Sequence, residues 1–420
     1  MGRCLRVSPV AVLLAMALGC SSSPTATSAP PVEPVNRLLV VTTDADIVTL
    51  DPSGGSLRAV TSDAGDGVRH AQPTWSPDAQ RIAFARIAIR DRQLEPSLVT
   101  TAADGTDRTD APTELTPIYL HWDPAGERVA FLGTSQLGIE LQLVDLDVDA
   151  TRARTIMFGS PLYFSWARDG GELLTHVRAG SARGALERVT IDGTRSPVAA
   201  DPGLFQAPDW TGTEDRAVYA VGAGSAQRLV VADRHGTVRR TLARIDGLVH
   251  FSVDPTGSRV AFAVERVREP GTNLRLAALG PGDPLPRVGA GALMIADLDQ
   301  GTPERIAEGP VVLVQWSPKG DALLFATLDA TGERQTVTWH VWDGQRIHRY
   351  ATTEPTSTFA RDHLPFSDQY ARSMTLWSPD GSAFTYPARD DAGDGIWVQR
   401  LDETGPRRVA GGRMVTWSPR

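Results

Sequence analysis

The sequence offers few side chains at the spacing that catalysis or metal binding requires. Eight histidines are scattered along the 420 residues, and no two stand at the helical spacing of a metal-binding pair. The acidic stretch 390–395 lacks the closing glutamate of a calcium-binding EF-hand, so we interpret it as a solvated hairpin turn. The sequence contains no Gly-x-Ser-x-Gly nucleophile elbow, HExxH zinc motif or phosphate-binding P-loop. We therefore predict no metal, no cofactor and no catalytic residue.

One segment concentrates the residue types that bind partners. The insertion Thr352–Ser373 mixes aromatic and charged side chains, which dominate the energetics of protein interfaces. We predict a candidate binding face made of Phe359, Arg361, Asp362, His363, Phe366, Tyr370 and Arg372. A second interpretation stays open, in which this insertion folds over a central channel as a plug with its aromatic side chains buried.

A repeated phrase indicates the elements that position these residues. An aromatic residue, a Ser-Pro-Asp-Gly-like turn and an alternating Ile/Val-Ala-Phe strand recur eight times. Units of about forty residues with four short strands, each unable to bury both faces alone, are typical of a β-propeller. We interpret the recurrent aromatic residues as packing between adjacent blades. They are Trp75, Trp122, Trp166, Trp210, Phe251, Trp316, Trp377 and Trp417.

The two ends of the chain are expected to complete one blade. Trp417 belongs to a first strand, and the three strand signals that such a blade still needs lie within residues 37–61. Pairing residues 414–418 with that segment removes two exposed strand edges. The predicted fold class is therefore all-β, a single propeller of eight four-stranded blades closed by its terminal strands. Seven blades is the alternative, if the unit at Phe251 is irregular.

Three long connections are expected at one end of the propeller. Val267–Ala292 lies between the second and third strands of its blade, as does the connection Ile89–Pro96, and Thr352–Ser373 links one blade to the next. In an up-and-down blade these two kinds of connection emerge on the same face. Long loops gathered on a rigid scaffold are where binding usually resides.

The first residues predict export and attachment to a membrane. Arg3 and Arg6 precede the apolar run Val10–Leu18, which is too short to span a bilayer. The end of that run, Ala17-Leu18-Gly19-Cys20, resembles the bacterial lipobox. This resemblance implies cleavage before Cys20 and lipidation of its thiol; the alternative is an ordinary cleaved signal in which Cys20 is incidental.

The domain organisation follows from these signals. We predict a lipoprotein signal peptide at 1–19, a lipidated Ser/Thr/Pro-rich tether at 20–36 and the propeller at 37–420. The expected location is outside the cytoplasm, anchored to the cell membrane through the lipid. The formal charge of −8 argues against nonspecific binding of nucleic acid.

The repeat resembles the TolB-type, WD-like propeller repeat, whose hallmark is Trp-Ser-Pro-Asp-Gly followed by an Ile-Ala-Phe strand. The resemblance covers nearly all of residues 37–420. Trp377–Gly381 keeps the whole pentad, and Trp75, Trp316 and Trp417 keep Trp-Ser-Pro. TolB proteins also carry a small α/β domain before the propeller, through which they engage envelope partners, and no segment here corresponds to it. The resemblance therefore implies the fold and the compartment only.

Three functions are compatible with the sequence. The leading hypothesis is a monomeric, non-enzymatic propeller that binds a protein or another cell-envelope component. The second is a propeller enzyme, a hydrolase or lyase, with Asp362, His363 and Arg372 at the channel mouth. The third is the solute-binding component of a transporter.

Overall fold

A computed structural model describes residues 36–135, 138–177, 184–199, 201–212, 215–222, 227–245, 247–265, 291–300, 302–331 and 334–420. The predicted signal peptide, Cys20, nearly all of the predicted tether and most of the insertion at 267–292 lie outside these residues. In the part that is described, every helix is too short or too polar to cross a lipid bilayer.

The described chain is built almost entirely of β-strands, with three short α-helices and one 3₁₀-helix, Leu364–Phe366. The α-helices are α1 (Leu146–Asp149), α2 (Ser357–Asp362) and α3 (Ser367–Tyr370). The strands are β1 (Leu38–Val41), β2 (Ile47–Leu50), β3 (Arg58–Ala59), β4 (Val68–Trp75), β5 (Arg81–Arg90), β6 (Gln93–Ala102), β7 (Thr109–Pro112), β8 (Pro117–Trp122), β9 (Arg128–Ser135), β10 (Gly138–Asp145), β11 (Ala150–Gly159), β12 (Leu162–Trp166), β13 (Glu172–Val177), β14 (Ala185–Thr190), β15 (Arg195–Ala199), β16 (Asp209–Trp210), β17 (Arg216–Val221), β18 (Gln227–Asp233), β19 (Val238–Ile245), β20 (Leu248–Val253), β21 (Arg259–Glu265), β22 (Gly291–Asp297), β23 (Glu304–Gly309), β24 (Val311–Trp316), β25 (Leu323–Asp329), β26 (Thr336–Trp342), β27 (Ile347–Pro355), β28 (Ala383–Asp390), β29 (Gly393–Arg400), β30 (Arg407–Gly411) and β31 (Met414–Trp417).

These strands form antiparallel sheets that follow one another along the chain. Five sheets consist of four consecutive strands each, from β4–β7 to β20–β23. The first strand of each sheet carries the recurrent aromatic position, and buried side chains fill the space between adjacent sheets. The all-β propeller class predicted from the repeat is confirmed.

The chain ends close a further sheet. β31 pairs antiparallel with β1, with Leu38 opposite Trp417 and Val41 opposite Met414, and the strand order is β3-β2-β1-β31. The predicted closure is therefore confirmed. Both strands gain a hydrogen-bonded neighbour on the edge that would otherwise be exposed.

The last sheet has seven strands, β24 to β30. Its two parts, β24–β27 and β28–β30, are joined only through Glu354 opposite Arg389 and Pro355 opposite Ala388. Trp377 bridges to Phe384 of β28, in the place where a first strand would lie. Divided at that junction, the described sheets number eight; the blade count itself stays a prediction.

Two Ser-Pro-Asp turns, after Trp75 and Trp377, are held by local hydrogen bonds. The Ser76 hydroxyl donates to Asp78 (2.6 Å) and accepts from the Arg81 backbone N–H (2.9 Å). Ser378 makes the same bonds, to Asp380 (2.6 Å) and from Ala383 (2.9 Å). Serine and aspartate side chains that satisfy turn N–H groups explain why the phrase recurs.

The recurrent tryptophans are buried between sheets and tie each sheet to the preceding one. In four of the seven, the indole N–H donates to the backbone carbonyl of the residue just before the recurrent position in the preceding repeat. Four such bonds are Trp122 to Thr74 (3.4 Å), Trp166 to His121 (3.1 Å), Trp316 to Ser252 (2.9 Å) and Trp377 to Gln315 (3.0 Å).

One aromatic position was assigned wrongly from the sequence. The Trp316 indole donates to Ser252, and Val253 pairs with Val260, seven residues later, as Trp122 pairs with Val129. Val253, and not Phe251, therefore occupies the recurrent position. Valine replaces tryptophan before the Asp-Pro turn there, and the nearest aromatic residue, Phe251, lies two positions earlier.

The connection Ile89–Pro96 is also not a long loop, which corrects the prediction. β5 and β6 pair along ten residues each, up to Arg90 opposite Gln93. Asp91 and Arg92 alone form the turn, with φ of 49° and 65°. Two consecutive residues with positive φ match the right-handed twist of a long hairpin, which therefore continues to its tip.

Candidate functional site

Residues 356–376, hereafter the channel segment, follow β27 and lead to Trp377. The segment begins where the Thr356 hydroxyl caps α2 by accepting from the Phe359 N–H (3.3 Å) and donates to the Arg413 carbonyl (2.6 Å). Arg413 immediately precedes β31. The segment therefore starts at the end of the propeller where the first strands begin, which we call the insertion end.

Aromatic side chains of the segment pack together after α2 begins. The Phe359 ring is fully buried and lies 6.3 Å from Trp339. The His363 ring stacks between Phe359 (4.9 Å) and Tyr370 (4.7 Å). Burial lowers the pKa of His363 to about 3, and neither ring nitrogen has a hydrogen-bond partner among the described residues. This imidazole is neutral and acts as packing.

Further along, α3 contacts the walls of the channel. The Tyr370 ring packs edge-on against Tyr119 (5.2 Å), and its hydroxyl donates to Gln72 (2.8 Å). The Asp368 carboxylate lies 3.6 Å from His250 Nδ1. These residues come from β4, β8 and β20, so the segment touches first strands of separate sheets.

The segment then reaches the opposite end, where the Ser-Pro turns lie, which we call the turn end. Its backbone accepts hydrogen bonds there from Thr74 to Ser373 (2.6 Å) and from Gln315 to Met374 (2.9 Å). The Arg372 guanidinium forms an ion pair with Asp209 and donates to the Trp210 carbonyl (2.8 Å). The channel segment therefore passes through the channel from one end to the other.

The Arg372–Asp209 ion pair joins the segment to a buried carboxylate of the channel wall. The Asp209 side chain is only 7% exposed, and burial raises its pKa, which the Arg372 charge opposes. A carboxylate at this depth costs free energy unless a cation and hydrogen bonds compensate it. The Val253 N–H also donates to Asp209 (3.2 Å).

The predicted binding residues do not form one face. Phe359, His363 and Tyr370 are buried, Phe366 is half-buried, and Arg361 and Asp362 at the surface pair with each other (2.8 Å). Arg372 lies at the turn end, because the segment runs along the channel instead of across one mouth. This arrangement corresponds to the plug interpretation.

The residues proposed for an enzyme do not interact with one another. Among the described residues, none of Asp362, His363 and Arg372 has either of the other two as a hydrogen-bond or ion-pair partner.

Sequence reasoning missed a ring of polar residues around the channel. The residue just before each recurrent position is polar in seven of eight repeats, and its side chain meets the channel segment in several of them. A repeat alignment centred on the turn, and not on the aromatic residue, would have revealed it. The seven are Thr74, His121, Ser165, Asp209, Ser252, Gln315 and Thr416.

Some of the side chains in and around the channel are partly exposed to solvent. The side chains of Arg372 and His250 are 30% and 35% exposed, whereas that of Asp368 is 6% exposed. His121 Nδ1 lies 3.3 Å from the Tyr119 hydroxyl. Burial, and then the Arg372 charge, lower the pKa of His121 to about 3, so this imidazole is neutral.

One group of possible metal ligands is present in the described chain, away from the channel. Donor atoms of Asp46, Asp63 and His70 lie within 4.8 Å of one another. Arg86 Nε and Arg108 Nη1 lie 3.6 and 3.9 Å from the Asp63 carboxylate. Because two guanidinium groups already balance this carboxylate, the group is an ion-pair cluster and a poor cation site.

Comparison with protein-family models finds no match, and comparison with curated proteins finds none. The chain is similar to the solved structure of TolB from Acinetobacter baumannii, with 15% identity over 74% of this chain and 62% of that chain and a TM-score of 0.40. It therefore spans less than two thirds of that protein. The β-propeller domain of the Trilobed protease from Pyrococcus furiosus is 12% identical over 83% of this chain and all of that chain (TM-score 0.49). An oligogalacturonate lyase in complex with manganese is 12% identical over 88% and 96% (TM-score 0.52). Likeness at such identity concerns the fold alone.

Proposed function

We propose that the chain is a lipid-anchored propeller outside the cytoplasm that binds a protein or another component of the cell envelope at its insertion end. The lipobox-like Ala17–Cys20 and the Ser/Thr/Pro-rich stretch after it support the anchor. The propeller fold and the lack of a catalytic motif in the sequence support binding over catalysis.

The observation that carries the proposal is the difference between the two ends of the propeller. The described chain starts at the turn end, where the Trp417 indole donates to Asn36 (2.7 Å) and the Arg37 N–H donates to Ser418 (3.1 Å). The channel segment begins at the other end. Because the chain enters the propeller through Asn36 at the turn end, we propose the insertion end as the binding end.

The insertion end also bears the exposed apolar groups expected of a contact surface. The β5–β6 hairpin ends there, and its tip exposes Ile89 (52%) and Leu94 (53%), which pair across the two strands. Arg361 and Asp362 of α2 lie at the same end. Exposed apolar side chains rimmed by charge are typical of protein interaction sites.

Cell fractionation tests the anchor. We expect the wild-type chain in the membrane fraction and Cys20→Ser in the soluble extracytoplasmic fraction, because the acyl chains provide the membrane affinity. Cys4→Ser is the matched control, since Cys4 lies in the predicted signal peptide, and it should remain with the membrane. Membrane attachment of Cys20→Ser would contradict the anchor.

Site-specific photo-crosslinking in intact cells tests the binding end. A photoreactive residue at position 94 or 361 should give a discrete crosslinked species, and one at Asp380 of a Ser-Pro turn should not. Ile89→Glu with Leu94→Glu should abolish the species without changing the melting temperature, since both side chains are exposed. Crosslinks from position 380 alone would refute the assignment of the insertion end.

A further inference from the structure

We propose that a cavity between two neighbouring sheets of the propeller binds a small, uncharged heteroaromatic molecule. The cavity has a volume of about 270 Å³ and lies between the outer strand β23 and the sheet that begins with β24. Ala307, Gly309, Phe325, Thr327 and His340 are among the residues that line it. The proposal depends on neither the lipid anchor nor a partner at the insertion end.

Comparison with the preceding pair of sheets shows how the cavity arises. Ile245 pairs with the first residue of β18, and Gly309 pairs with the first residue of β22, so the two positions are equivalent in successive sheets. Ile245 is 1% exposed and belongs to the apolar cluster that its sheet shares with β20 and β21. Among the described residues, a Cβ added at Gly309 would have one non-adjacent neighbour within 4 Å, Thr327 Cγ2 at 3.8 Å. The absence of the isoleucine side chain therefore leaves open space.

Polar side chains replace apolar ones around this space. His340 stands where the preceding sheet has Met294, since each of them pairs with the phenylalanine of its second strand. Two residues beyond that phenylalanine, Thr327 corresponds to Val264. Met294 and Val264 pack against the apolar cluster of their own interface. An imidazole and a hydroxyl beside a void contribute less to packing than these residues, and they supply hydrogen-bonding groups instead.

The His340 imidazole is uncharged and has hydrogen-bonding capacity left. Burial, and then the charge of Arg349, lower its pKa below the usual value of about 6.5. Nε2 lies 3.1 Å from the Thr327 hydroxyl, and Nδ1 has no hydrogen-bond partner among the described residues. The ring stacks on Phe325 at 4.8 Å with 12° between the planes, which fixes its orientation. Because a neutral imidazole carries one donor and one acceptor, the bond with Thr327 leaves one of the two unused.

The charged groups of the lining lie at its exposed edge. Glu308 has a 75% exposed side chain and already pairs with Arg305 (2.5 Å). Asp329 is exposed, and hydrogen bonds from Thr331 lower its pKa, so it is a carboxylate in contact with water. Exposed charges are screened by solvent and salt. A charged group inside the cavity would lose its hydration without an opposite charge beside it, so the lining favours an uncharged ligand.

The position of the cavity favours a planar ligand. Sheets that pack face to face lie about 10 Å apart, and the cavity occupies part of this gap that side chains would otherwise fill. Its volume of about 270 Å³ lies just below the range of about 300 to 1,000 Å³ that is typical of ligand pockets. One or two fused rings match this size. Ring heteroatoms provide the donor and acceptor that the neutral His340 requires.

Saturation-transfer NMR on the full-length chain tests the site. The probes are indole, benzimidazole and adenine at millimolar concentration, with benzoate and benzylamine as charged counterparts. We expect saturation transfer to at least one heteroaromatic probe. Ala307→Leu should abolish it, because the larger side chain occupies the cavity. His340→Phe should weaken the affinity about tenfold, the effect of one lost hydrogen bond.

Two matched controls carry the same substitutions at exposed positions. Ala125→Leu lies in the turn after Trp122, and His348→Phe lies on β27, where His348 is 50% exposed. Both should leave the affinity unchanged.

Each outcome supports or overturns the proposal. Saturation transfer to none of the heteroaromatic probes, or an equal affinity for benzoate or benzylamine, overturns the ligand class. Unchanged affinity in both Ala307→Leu and His340→Phe overturns the assignment of the cavity. Should Ala307→Leu fail to fold, His340→Phe alone decides, because the His340 side chain is only half-buried.

Discussion

Arg372 ties the far end of the channel segment to the channel wall, and its replacement by methionine should destabilise the protein measurably. The variant replaces the guanidinium by an uncharged, unbranched side chain and leaves the Asp209 carboxylate buried without its cation. Breaking a buried ion pair from one side costs about 3–5 kcal/mol, and the lower end applies because Arg372 is partly exposed. For a domain of this size the entropy of unfolding is about 0.8 kcal/mol/K, so the melting temperature should fall by about 4 °C.

The pH dependence of this loss identifies its cause. Burial raises the pKa of Asp209 above the usual value of about 3.9, so the folded protein holds this proton more tightly than the unfolded chain. The stability from this group is fully present below about pH 3.9 and is lost as the pH rises through the folded pKa. Removing Arg372 takes away the positive charge that lowers the pKa of Asp209. The pKa of Asp209 in the folded protein therefore rises further, and the pH range in which the folded protein keeps this proton and the unfolded chain does not becomes wider. The destabilisation should therefore be largest near pH 7 and shrink towards pH 4.

Chemical denaturation of four proteins measures the effect: wild type, Arg372→Met, Asp209→Asn and the double variant. At pH 7 the double variant should be more stable than Arg372→Met alone, because it contains no uncompensated charge. Arg361→Met is the matched control; its exposed pair with Asp362 should contribute about 0–1 kcal/mol. A loss for Arg372→Met that is independent of pH, or additive with Asp209→Asn, would refute the reasoning.

Three further predictions concern the propeller itself. Trp316→Phe should cost about 1–2 kcal/mol more in denaturation than Trp75→Phe, because only the Trp316 indole has a hydrogen-bond partner, the Ser252 carbonyl, among the described residues. Deleting residues 414–420 removes the strand that pairs with β1, so circular dichroism should show loss of cooperative unfolding and size-exclusion chromatography should show aggregation; an unchanged melting curve would contradict the closure. Arg92→Gly should raise stability by up to about 1 kcal/mol, since φ is 65° there, and a lower denaturation midpoint would contradict the turn geometry.

The repeat predicts most of the strands and turns of the fold because its signals lie within a few neighbouring residues. After Trp75, the Ser76 hydroxyl and the Asp78 carboxylate form hydrogen bonds within the turn, and the proline between them favours a turn. This pattern therefore indicates the end of a strand wherever it occurs. Two predictions were wrong because they depend on burial and strand pairing, which a local pattern does not contain. Val253 escaped detection because burial at that position requires an apolar side chain and not an aromatic one. The β5–β6 hairpin was longer than expected because pairing, and not composition, sets where a strand ends.

The channel segment shows where sequence reasoning stopped. Its composition was compatible with an exposed binding loop and with a plug, since aromatic side chains suit both environments. The structure buries Phe359, His363 and Tyr370 and separates them from Arg372 along the channel. Whether the proposed insertion end binds a partner stays a prediction, and so do the anchor and the monomeric state.

The sequence by itself determined the all-β repeat, the turns that delimit it and the pairing of its two ends, because each of these depends on neighbouring residues or on a strand edge that must be covered. Only the tertiary structure decided which side chains meet in the channel. Arg372 and Trp210 are 162 residues apart, and Tyr370 and Gln72 are 298 apart. Such contacts exist because closing the propeller brings the first strand of every sheet to one axis, and no local pattern records which of them a crossing segment will touch.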